Sequence, residues 1–213
     1  VDSTLYTYYM RCKAEVSSPI VMQMSDTLFL MAEEKGDQRM QAVALCNKLD
    51  YFYYKNDQPD SISHYVEIVK DFARKTNQPK YYYFVWSKRL IYYYIKQYQY
   101  NIALYEANKM MKEAEQEKYM DGIANAYNVL SSIYQLKRLF NLAINNKKKE
   151  IEITLQYNLN KFNLSIYYSG LTNLYCELGE ADNALENLNK SASCLYSSTQ
   201  EYYYLSLIHI SEP

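Results

Sequence analysis

Few side chains in this 213-residue sequence stand where chemistry could be done. Hydrolysis or group transfer needs at least a nucleophile with its base, or two carboxylates that face each other. His64 lies in SISHYVEIV, and the most demanding reading makes it a phosphoryl-accepting imidazole on a helix. Tyr65 follows it where a carboxylate would be wanted, and no Arg-Thr-Pro run comes after, so the sequence predicts an ordinary helix histidine. Cys12, Cys46, Cys176 and Cys194 are dispersed singly, without the paired spacing of a structural zinc site, and read as small packing residues. On successive helices, Cys176 and Cys194 would stand roughly 15–20 Å apart at the rise of a helix, too far to bridge. Gly36, Gly122, Gly170 and Gly179 are too scattered for a phosphate-cradling loop. Lys147-Lys148-Lys149, followed by Glu150 and Glu152, reads as a solvated helix face. The inventory predicts no catalytic residue, no metal and no cofactor.

The elements that carry these residues follow from composition. Four Gly and four Pro among 213 residues are about a third of an ordinary share, which disfavours sandwiches and glycine-rich nucleotide folds. Long helices joined by tight turns are the natural solution. Lys and Arg number 23 against 24 Asp and Glu, so this segment lacks the basic footprint of a nucleic-acid binder. No apolar run reaches the roughly eighteen residues of a membrane span, so any membrane link belongs to flanking segments. The opening VDSTLYTYYM has neither an initiator Met nor a leader pattern, which is expected after a processed signal or an arbitrary cut.

Self-similarity organises the chain. Leu90, Leu130 and Leu171 begin segments in which Tyr94, Tyr134 and Tyr175 align, then Tyr100, Phe140 and Ala181, then Ala103, Ala143 and Ala184. The interval is 40 and then 41 residues, with a fainter copy at Leu49 and Tyr53. Leu at i and Tyr at i+4 share one helix face, and the alanine nine residues later suits a second helix that crosses closely. Helices are predicted at 3–15, 19–35, 37–55, 60–76, 80–97, 101–118, 121–137, 141–158, 161–178 and 182–197, with another starting near Ser198. Asn56-Asp57-Gln58-Pro59 and Leu178-Gly179-Glu180 read as turns, with Gly179 suited to a left-handed helix end.

These columns resemble the tetratricopeptide repeat (TPR) family. YYSGLTNLYCELGEADNALENLNKSA places Tyr168, Leu171, Tyr175, Gly179, Ala184, Leu188 and Ser191 on the family's signature positions, and AYNVLSSIYQLKRLFNLAINNKKKE adds Tyr127, Leu130, Tyr134, Phe140 and Ala143. The sequence departs at the small position of the first helix, which is Ile91, Ser131 and Thr172, and at the turn glycine, which is Tyr98 and Arg138. The resemblance implies an all-α fold, a right-handed superhelical α-solenoid of TPR-like hairpins. Residues 1–204 form it, with repeats near 37–77, 80–118, 121–158 and 161–197, a partial helical pair before them and a truncated repeat after. Its concave wall would present Asn47, Tyr51, Tyr54, Lys88, Tyr92, Asn128, Ser132, Gln135, Ser169 and Asn173 to a protein or peptide partner. Only Lys88 and Lys96 bring positive charge to that wall, so the basic clamp of some family members is absent.

A narrower resemblance joins VDSTLYTYYMRCKAEVSSPIVMQMSDTLFLMAEEKGD, YYYFVWSKRLIYYY and YNIALYEANKM to the N-terminal repeat region of bacterial membrane-bound sensor histidine kinases. It implies a periplasmic, non-catalytic sensory domain of a two-component system, with homodimerisation as one way to signal. The alternative is a soluble cytoplasmic adaptor or transcriptional regulator. Residues 205–213, LSLIHISEP, resemble a translated sequencing adapter, so the natural chain is expected to continue past Tyr204. Tyr202, Tyr203 and Tyr204 would then lie at an unfinished edge.

Overall fold

The computed structural model describes residues 2–55, 59–159 and 163–210, with side chains through Leu195. Among them the chain is all-helical: α1 (Ser3–Ala14), α2 (Ile20–Glu34), α3 (Gln38–Lys55), α4 (Pro59–Lys75), α5 (Pro79–Val85), a π-helical turn (Trp86–Ile91), α6 (Tyr92–Lys96), α7 (Tyr100–Gln116), α8 (Met120–Leu136), α9 (Phe140–Gln156), α10 (Leu164–Leu178) and α11 (Ala181–Ile210). The expected Asn56-Asp57-Gln58 turn and the unfinished edge at Tyr202 to Tyr204 fall outside the described turns and side chains respectively.

Local chemistry accounts for the boundaries. Asp2 caps α1, its carboxylate accepting from the backbone N–H groups of Thr4 at 2.9 Å and Leu5 at 3.1 Å. Lys35 pairs with the same carboxylate at 2.6 Å, which ties the end of α2 to the start of α1. The Lys35 hydrogen bond and those two amides hold the Asp2 carboxyl down at about 2. Asp37 caps α3 through Arg39 and Met40, both at 3.1 Å, while Pro59 and Pro79 open α4 and α5, where a missing N–H costs nothing.

Helix ends use one device repeatedly. Gly36, Asn77, Tyr98, Lys118, Arg138, Asn158 and Gly179 all have positive φ, between 51° and 76°. After each, the next backbone N–H returns to a carbonyl five residues back, as in Gln99 to Tyr94 at 2.9 Å and Leu139 to Tyr134 at 2.9 Å. This closure satisfies carbonyls that a helix end otherwise leaves open. Tyr98 and Arg138, which stand in the turn-glycine column, do take the left-handed conformation.

Two compact units divide the chain, 1–106 and 107–213. In the first, α1 packs on α2, α2 on α3, α3 on α4 and α4 on α5, around a core that includes Leu5, Val21, Leu28 and Ala44. In the second, α8 packs on α9, α9 on α10 and α10 on α11, around Ala143, Leu171, Leu174 and Ala184. Two of the four repeat columns are buried: Leu90, Leu130 and Leu171 are 3–7% exposed, and Ala103 and Ala143 are fully buried, whereas Tyr94, Tyr134, Tyr100 and Phe140 are half-buried and Ala181 is exposed. Ser131, in the small-residue column, is buried against α9 and donates its hydroxyl to the Ala143 carbonyl at 2.8 Å.

Two expectations need correction. The helix read over 80–97 opens into a π turn, which leaves Trp86, Ser87, Leu90 and Ile91 all buried while Lys88 and Arg89 stay half-exposed. The break expected at 197–198 does not occur, because the serines and threonine there do not interrupt the single helix from Ala181 to Ile210. Ser, Thr and Gln cost only a few tenths of a kcal/mol against alanine, so roughly one more turn needs no stop signal.

Candidate ligand cleft

Three helices, α1, α3 and α5, meet at one cavity of about 450 Å³ in the first unit. α1 contributes Tyr9 and Lys13, α3 contributes Val43, Cys46, Asn47 and Asp50, and α5 with the π turn contributes Lys80, Tyr81, Phe84 and Arg89. The helical period explains this selection, since Val43, Cys46, Asn47 and Asp50 fall three or four residues apart on one stripe of α3.

The floor is polar and largely self-neutralised. Arg89 grips Asp50 with two donors: its Nε–H and its Nη2–H, the latter at 3.1 Å. The guanidinium also lies over the rings of Tyr53 at 5.0 Å and Phe84 at 5.2 Å, the stacked setting that suits arginine better than lysine. Burial works against the Arg89 charge, yet the Asp50 hydrogen bond and charge outweigh it and raise its pKa. Burial also pushes the Cys46 thiol up to about 12, with the Asp50 charge adding to the shift and the Arg89 charge opposing it. Burial first, and Cys46 and Asp37 after it, raise the Tyr81 hydroxyl above its ordinary value, against the opposing charge of Arg39.

One group on the floor is unsatisfied. Asn47 is 5% exposed, and its Nδ2 has no hydrogen-bond partner. A buried donor left without an acceptor costs roughly 1–3 kcal/mol, so the position is tolerated at a loss or completed by something that enters. At the rim, Lys13 and Lys80 are exposed, and their ammonium groups lie 5.7 Å and 5.0 Å over the rings of Tyr9 and Tyr81. Among the described residues neither lysine forms an ion pair.

The ten residues expected on a concave wall divide in three ways. Asn47 lines the cleft, and Tyr51 is buried at 8% exposure in the core of the first unit. Tyr54 is exposed, and Lys88 and Tyr92 are half-exposed and paired, the ammonium 5.2 Å over the ring. In the second unit Gln135, Ser169 and Asn173 are exposed, while Ser132 turns back to its own helix, to the Asn128 carbonyl. Asn128 is committed to structure: its Nδ2 donates to Glu150 Oε1 at 2.7 Å.

Glu150 belongs to a buried network that overturns the solvated reading of the lysine run. It is 1% exposed and also accepts from Lys147 Nζ at 2.6 Å, whose ammonium lies 5.6 Å over Tyr167. Lys148 and Lys149 do face solvent, and so does His64. Of the cysteines, Cys12 is buried as expected, but Cys176 is exposed. Of the ten residues that line the cleft, only Asn47 was expected at a binding surface, and the other nine were missed. One signal could have found two of them: Asp50 and Arg89 are opposite charges 39 positions apart, close to one repeat interval.

No protein-family model matches the chain. No curated protein sequence matches it either. Among solved structures, the chain is similar to the crystal structure of BtubC (BKLC) from P. vanneervenii, with a TM-score of 0.57 and 12% identity over 93% of both chains. At that identity the likeness is one of fold.

Proposed function

We propose that the chain is a non-catalytic binding array of TPR-like hairpins arranged as a right-handed superhelical solenoid, whose first helices engage a protein or peptide partner. The convergence of α1, α3 and α5 on one cleft carries this reading. Helices α1 and α3 each open a packed helical pair, with α2 and α4, and a wall made of such first helices is what a stacked array offers a ligand. The wall combines aromatic area with amide and guanidinium donors, a mixture suited to an extended backbone and its side chains. A thiol raised by burial and a carboxylate held by arginine support the non-catalytic reading of the cleft.

Following the sequence resemblance, we place this array in the sensor region of a two-component histidine kinase. The coding sequence of the intact gene tests that placement: an uninterrupted chain without a leader, a membrane span or a kinase core would remove it. For binding, an array of immobilised random peptides is to be probed with the purified chain and with Phe84→Ala. Phe84 is 44% exposed on the cleft wall, so its truncation spares the core. A set of peptides that bind the parent chain and weaken at least fivefold with Phe84→Ala is expected. An unchanged binding pattern, or no bound peptide at all, would contradict the reading.

A further inference from the structure

We infer that the cleft between α1, α3 and α5 is a binding site for a small amphipathic organic anion, a carboxylate on an apolar body, as a ligand separate from any protein partner. Size comes first. About 450 Å³ is within the range of small-molecule sites, which run from roughly 300 to 1,000 Å³. Such sites pair mostly apolar walls with a few placed polar groups, and this cleft has Val43, Tyr81 and Phe84 for walls.

Charge then selects the ligand. Asp50 is the cleft's one carboxylate among the described residues, and Arg89 occupies it through two hydrogen bonds. The remaining charges are the ammonium groups of Lys13 and Lys80, contributed by different helices and not engaged in ion pairs among the described residues. An anion that enters meets two cations and no uncompensated negative charge. A cation would meet repulsion at the rim and a carboxylate already taken.

Asn47 adds a second observation: the residue lines the cleft, and its Nδ2, itself closed to solvent, has no acceptor within the chain, so a turn of the side chain toward a ligand oxygen would satisfy it. The walls take the apolar body and the lysines take the charge. In a sensor domain such a site would be an input.

The test uses 4-phenylbutyrate and its uncharged analogue 4-phenylbutyramide as probes, titrated into the ¹⁵N-labelled full chain at low salt. Saturable shifts at α1, α3 and α5 amides are expected for the acid, with at least tenfold weaker binding of the amide. Lys13→Gln/Lys80→Gln, a change at two exposed positions, should bring the acid down to the level of the amide while leaving the rest of the spectrum unchanged. Equal binding of acid and amide, acid binding unchanged in the double variant, or no saturable shift in the cleft would each overturn the inference. If array-selected peptides bind the cleft while the acid does not, the small-anion site is overturned and the partner-binding reading stands.

Discussion

Glu150 shows how much a single buried side chain can decide. At 1% exposure it holds both Asn128 and Lys147, so two polar groups, one on α8 and one on α9, depend on one carboxylate. Removing one member of a buried charge pair strands the other, at a cost of about 3–5 kcal/mol, whereas replacing both with apolar residues of similar size is often neutral. Glu150→Ala is therefore expected to lose about 3–5 kcal/mol in urea unfolding, and Lys147→Met/Glu150→Leu to recover most of it. A loss below 1 kcal/mol for Glu150→Ala would show that water reaches the network. From the sequence this was unreadable, because three consecutive lysines followed by glutamate have the composition of a solvated face. Helical phase separates Lys147 from Lys148 and Lys149, and it depends on where α10 lies. The cleft residues were opaque for the same reason: Lys13 and Lys80 are ordinary surface lysines until α1 and α5 stand on either side of α3.

Elements were more legible than residues. Leu90, Leu130, Leu171 and the alanines of the crossing column are buried because burial imposes a period, and a period survives in sequence. Helix ends were legible where the column calls for glycine, even though tyrosine and arginine occupy it. That substitution has an energetic consequence. A left-handed L-residue carries about 1–2 kcal/mol of local strain, which glycine relieves at some cost in unfolded-state entropy. Tyr98 is 80% exposed, so Tyr98→Gly gives up little packing and is expected to stabilise the chain by about 0.5–1 kcal/mol. Gly179→Ala is expected to destabilise by about 1 kcal/mol, since a Cβ there meets nothing within 4 Å and the backbone angle alone is at issue. Chemical denaturation of the two variants measures both, and a destabilised Tyr98→Gly would mean that its ring contact with Tyr100 outweighs the strain. The π turn had no such signature. Trp86 to Ile91 are all competent α-helix residues, and nothing in their types calls for a wider turn. The same turn carries Arg89, whose grip on Asp50 closes the cleft floor.

For the whole molecule, the scarcity of glycine, proline and catalytic constellations pointed to an all-helical chain that binds, and the described residues are all-helical. What composition could not supply was the cleft, because its residues meet only once α1, α3 and α5 are packed together. The central claim is that this cleft, and not the outer helices, receives the ligand. Hydrogen exchange of the full chain, with and without a peptide selected on the array, tests it most directly, because protection reports where opening is suppressed along the backbone. The account predicts slowed exchange in α1, α3 and the segment from α5 to α6, with α2 and α4 unchanged. Protection confined to α2 and α4 would contradict it.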